Sequence, residues 1–131
     1  MSTCLSTEPV SGPPWTITVD DLPPSPNRRL HWACRRRLVK PLADAVAWQA
    51  RAIGLPQPLE HAHVVAKLVH TRLPLRDFDN AVASLKEVLD GLVVGGVLVD
   101  DGAEHLTLGV VQVLGPHRCL SLEVWPLEIE P

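Results

Sequence analysis

Apolar and polar positions along the chain change period several times, and each change marks an element. Trp15–Val19 alternates apolar and polar residues with a period of two, as a strand with one face on a core does, and Pro23, Pro24 and Pro26 stop it in a stiff loop. From Pro41 to Ile53 the period is helical: proline is tolerated in a first turn, Gly54-Leu55-Pro56 closes the segment, and Leu42, Val46 and Ile53 face the core. His63–Leu73 is a long β-rich segment. Val82, Leu85, Val88, Leu89 and Leu92 then gather on one side of a second helix, at about 100° per residue. Asp79 or Asn80 can cap this helix, and Gly95 or Gly96 can end it. Leu106–Leu114 and Cys119–Trp125 are two further strands, joined by Gly115-Pro116-His117 as a hairpin. The predicted order is β-α-β-α-β-β, an α/β sandwich of one small mixed sheet with two helices.

Length and composition add little to that pattern but exclude a good deal. With 131 residues and a hydrophobic fraction of 46%, the chain has room for one domain around one core, expected over residues 15–131. Met1–Pro14, rich in Ser, Thr, Pro and Gly without apolar periodicity, is expected to be a tail. No stretch approaches a membrane span, and no basic region followed by an apolar one suggests a secretory signal. Cys4, Cys34 and Cys119 are odd in number and far apart, which argues for a reducing compartment, by default the cytoplasm. No P-loop, dinucleotide-binding glycine fingerprint or Gly-x-Ser-x-Gly elbow occurs, so nucleotide-driven and serine-hydrolase chemistry are disfavoured.

The chemistry concentrates in Arg76–Asp101. Asp77, Asp79 and Asn80 stand just before the second helix, and Asp100 and Asp101 follow its closing glycine-rich turn. Asp79, Ala83, Lys86 and Asp90 fall within about 40° of one line on the helical wheel, away from the apolar stripe. D-x-D-N is also a good helix cap, and D-D-G a good turn. A helix start needs one cap, however, and clustered carboxylates cost stability unless a cation compensates them; oxygen-only donors favour Mg²⁺, with Mn²⁺ as a substitute. His61, His63 and His70 raise zinc as a minor alternative, without the Cys and His spacing of a zinc finger.

The formal net charge of −3 speaks against a nucleic-acid partner, but its distribution does not. Arg28, Arg29, Arg35, Arg36, Arg37 and Lys40 crowd around His31 and Trp32, while the acids concentrate after Asp77. Cations to hold a phosphate backbone, beside carboxylates to hold an ion, are what a phosphodiester nuclease needs. The bland reading of the arm is a solvated charged face. Trp32 could stack on an unpaired base, although burial is the commoner fate of a tryptophan.

The order D-F-D-N, a helix containing L-K-E-V-L-D-G-L, a G-G-V-L turn and D-D resembles the RusA family of Holliday-junction resolvases, as does L-P-P-S-P-N at Leu22–Asn27 ahead of an arginine-rich arm. The resemblance runs from about Trp15 to Trp125, specific in the acidic segment and loose elsewhere. It implies that Asp77, Asp79 and Asp101 hold Mg²⁺, that Asn27 and the basic residues through Lys40 meet DNA, and that a homodimer nicks a four-way junction twice. One departure stands out: the family's functional lysine commonly lies four residues after the second Asp of the pair, where this chain has Ala83, and Lys86 lies one helical turn further on. The competing expectation is a non-catalytic, structure-selective DNA-binding protein of the same fold, with the aspartates only capping and turning.

Overall fold

The computed structural model describes residues 12–26 and 29–128; most of the expected tail, Cys4, Asn27 and Arg28 lie outside them. The elements are β1 (Trp15–Val19), α1 (Trp32–Ile53), β2 (Ala62–His70), α2 (Phe78–Ala83), α3 (Lys86–Val94), β3 (Leu106–Leu114) and β4 (Cys119–Pro126). They form an α/β sandwich with one mixed sheet in the order β1-β4-β2-β3, in which β2 and β3 are parallel and the other pairs antiparallel. Alternation along the strands delivers Ile17, Val64, Leu68, Leu120, Leu122 and Val124 to one side. There they meet Val46 and Ala50 of α1 and Leu85, Val88 and Leu92 of the α2–α3 segment in a single core.

The helices reach each other closely because α3 presents glycine to α1. A Cβ on Gly91 would stand 2.7 Å from the Ala43 carbonyl oxygen, and one on Gly95 would stand 2.6 Å from the Ala47 oxygen and collide with Ala50. The backbones therefore touch where a side chain would separate them. On the far side, Gln49 donates to the Thr18 carbonyl (2.7 Å) and accepts from the Thr18 amide (3.1 Å), tying α1 to edge strand β1. No helix among the described residues is long and apolar enough to cross a membrane.

Four features differ from the pattern-based expectation. Helix α1 begins at Trp32, not Pro41, so the basic arm is itself helical and Pro41 lies inside, on the exposed side. Arg, Leu, Lys and Ala are strong helix formers, and His31 Nδ1 accepts from the Ala33 amide at 3.2 Å, so a start is available upstream of the proline. Strand β2 ends at His70, short of Leu73. The second helix is two helices, broken at Ser84-Leu85. Ser84 is buried, and its hydroxyl donates back to the Ala81 carbonyl (2.7 Å), the kind of local bond that bends a helix.

The fourth difference is topological. β3 and β4 are not a hairpin, because β2 lies between them and pairs with both. The Gly115–Arg118 connection passes over the end of β2, where the Gly115 amide donates to the His70 carbonyl at 2.8 Å. Four extended residues reach about 13 Å, enough to step across one intervening strand at about 4.8 Å per strand spacing. The central place goes to β2, with Ala62, Val64, Ala66 and Leu68 fully buried.

Candidate functional site

The first pair of carboxylates is aimed by the segment leading into α2. The Gln112 side chain of β3 grips the backbone of Arg76, accepting from its amide (3.1 Å) and donating to its carbonyl (2.8 Å). The same Gln112 oxygen meets His70 Nε2 at 2.9 Å. The Arg76 guanidinium, half-buried, donates to Ser84 Oγ at 3.1 Å, so the residue before Asp77 is locked at both backbone and side chain. Burial above all, and then the nearby Arg118, holds the Arg76 pKa below its ordinary value, against the opposing pull of Asp21. Asp77 is the N-cap residue of α2 but makes no side-chain capping bond, while the Asp79 carboxylate accepts from the Asn80 amide at 3.0 Å inside the first turn. Neither Asp79 nor Asn80 occupies the cap position assigned to it by pattern. Both aspartates are exposed.

The second group assembles on α3. Lys86 Nζ lies 3.9 Å from Asp101 Oδ2, with the lysine side chain 73% exposed and the aspartate 20%. Asp101 is also hydrogen-bonded to Asp90, a residue that the wheel placed on the polar stripe without assigning it a role. The hydrogen bond from Asp90 holds the Asp101 pKa below the usual carboxylate value, with Lys86 acting in the same direction. Desolvation, together with the bond to Asp101, pushes Asp90 up. Two carboxyl groups close enough to shift each other in this way are a place where a hard cation would relieve their repulsion. The break at Ser84-Leu85 also means that Asp79 and Lys86 sit on different helices, and the single straight line through Asp79, Ala83, Lys86 and Asp90 does not hold.

The structure thus joins Lys86, Asp90 and Asp101, and keeps Asp77 and Asp79 as neighbours on α2. Among the described residues, no three His, Cys, Asp or Glu side chains converge as a ready set of metal ligands. The donor chemistry of Asp77, Asp79, Asp90 and Asp101 nevertheless fits Mg²⁺, being all carboxylate oxygen. His61, just before β2, and His63 and His70 within it are not brought together as a zinc site: His61 Nδ1 meets the Glu104 carbonyl (3.0 Å), His63 Nδ1 meets Thr107 Oγ1 (2.7 Å), and His70 is held by Gln112.

The basic arm divides once it is folded. Arg35 turns inward and donates to the carbonyls of Pro24 (3.2 Å) and Ser25 (3.4 Å), bracing the proline loop. Arg29, Arg36, Arg37 and Lys40 are exposed, with Lys40 paired to Asp44 at 2.8 Å. Trp32 is 72% exposed, not buried. It lines a groove of about 350 Å³ with Arg35, Arg36, Val39, Lys40, Ala43 and Glu87, so the cationic face of α1 opens beside Glu87 in the first turn of α3.

A larger polar cavity, about 720 Å³, lies at the end of the sheet, walled by residues that follow β1, follow β2 and precede β4. No periodicity or motif points to it, because its walls come from three separate loops. Comparison of the chain with protein-family models and with curated proteins finds no match.

Proposed function

We propose that this chain is a Mg²⁺-dependent endodeoxyribonuclease of the RusA type, resolving four-way DNA junctions in the cytoplasm as a homodimer. The observation that carries the reading is the groove between α1 and α3, where exposed Trp32, Arg36 and Lys40 line one wall and Glu87, the residue after Lys86 in the chain, lies on the other. In this reading α1 holds the phosphate backbone and Trp32 offers a face to an unstacked base at the branch point. Asp77, Asp79 and Asp101 would hold Mg²⁺, which when bound polarises a water for attack on a phosphodiester and offsets charge on the leaving oxygen. Asp90 orients Asp101 through their hydrogen bond, and Arg76 with Gln112 fixes the approach of Asp77. Lys86, mostly exposed, can leave Asp101 for a phosphate oxygen.

One observation favours a second reading. The carboxylates stand in two groups and Lys86 is paired with Asp101, as suits a structure-selective DNA-binding protein without catalysis. Purified protein incubated with a labelled synthetic four-way junction, in Mg²⁺ or in EDTA, separates the two. Paired nicks in Mg²⁺ alone are expected; junction retention without nicks in either condition would leave only the binding protein.

A further inference from the structure

We propose that the polar cavity at the end of the sheet is a phosphate-binding site, built from Arg72 and His117 with Arg118 and distinct from both the acidic residues and the α1 face. Its walls bring together Asp20, Asp21, His70, Arg72, His117 and Arg118. These positions converge because β1 and β2 both run antiparallel to β4, so the ends of the first two strands meet the beginning of the last.

The cavity carries both signs of charge. Arg72 and Arg118 line the cavity and Arg76 lies close enough to feel Arg118, whereas the carboxylates are those of Asp20 and Asp21. The two guanidiniums of the lining match its two carboxylates in number, so what matters is which of them are already paired. Arg118 is satisfied by Asp21, with Nη2 to Oδ1 at 2.7 Å, but Arg72 and His117 make no ion pair among the described residues and are exposed. Guanidinium and imidazole N–H groups facing a polar opening suit a phosphate, which accepts at several oxygens and takes arginine in a bidentate way.

Placement deepens the nuclease reading, on which the source of the phosphate rests. Arg72 is five residues before Asp77 in the chain, so the two lie within about 17 Å. That is about five base steps at 3.4 Å along a duplex. A backbone phosphate held in the cavity would set the register of the strand relative to the carboxylates.

The test uses the full chain in EDTA, with a labelled four-way junction as one probe and inorganic phosphate as the other. Arg72→Gln should lower junction affinity roughly eightfold at about 0.1 M salt and reduce the salt slope by about one, the counterion value of a single phosphate contact. Asp21→Asn releases Arg118 and removes a competing anion, so it should tighten junction binding, a gain that a merely structural role does not produce. If Arg36→Gln on α1 weakens junction binding while Arg72→Gln and Asp21→Asn leave affinity and slope at the parental values, the cavity is not a phosphate site although the DNA reading survives. If the parent binds no junction, the DNA reading fails and inorganic phosphate decides. Shifts of the His117 and Thr71 NMR signals in the parent that vanish in Arg72→Gln would keep the site for a free phosphate compound. Unmoved signals would overturn it.

Discussion

Asp79 and Lys86 carry the sharpest residue-scale predictions of the nuclease reading. Asp79→Asn keeps size and hydrogen-bonding capacity but removes a charge, so cleavage should fall to background while folding and junction binding persist. Undiminished nicking by this variant in Mg²⁺ would remove Asp79 from the site. Lys86→Ala should slow cleavage more than it weakens binding. The double variant Ala83→Lys with Lys86→Ala, which puts a lysine at the last, exposed residue of α2, should recover part of the rate. Parental cleavage by Lys86→Ala alone would leave the lysine as a surface partner of Asp101, an exposed pair of about 0–1 kcal/mol. Arg35 belongs to a different class from its neighbours. Arg35→Ala gives up two bonds to backbone carbonyls and should cost about 1–2 kcal/mol in denaturant unfolding without changing the salt slope of junction binding. A lowered slope would return it to the DNA face.

At the scale of elements, the proposed site depends on the seam between α1 and α3, since that seam fixes the groove that Trp32, Arg36 and Lys40 share with Glu87. Gly95→Ala drives a methyl into Ala50 and the Ala47 carbonyl, groups that cannot yield as the tip of a long side chain can. A loss of about 2 kcal/mol, or roughly 6–10 °C in Tm, is expected by calorimetry. A parental Tm would mean that the helices separate at little cost and that the groove is not a fixed feature.

For the whole molecule, the nuclease reading requires an acidic chain to bind DNA. Folding concentrates Arg36, Arg37 and Lys40 on one exposed face and sends Arg35 to the proline loop, so the local field of α1 differs in sign from the formal total. Replacing Arg36, Arg37 and Lys40 with Gln should flatten the salt dependence by about two to three, near one for each phosphate no longer neutralised, and an unchanged slope would make this face a solvated surface.

What the sequence by itself determined is what depends on neighbours within a few residues. Alternation in Trp15–Val19, the apolar run Leu106–Leu114 and helical spacing from Leu85 to Leu92 reappear as strands and as a packed helix, because side-chain period and β-propensity act over a few neighbouring residues. The carboxylate chemistry of Asp77, Asp79 and Asp101 was equally legible, since donor type needs no fold. Tertiary structure decided the rest, mostly through partners distant in the chain. Ser84 and Arg76 accompany the break in a helix whose apolar spacing runs on, and β2 displaces β4 from β3 despite a turn-like connection. Arg35 finds carbonyls ten and eleven residues back and turns away from solvent, while Trp32 keeps its face in the open. Asp90 gains its importance only when the loop after α3 returns Asp101 to it, and the cavity of Arg72 and Arg118 exists only because three strand ends meet. A spacing rule describes one element; long-range pairing selects among the arrangements that such elements allow.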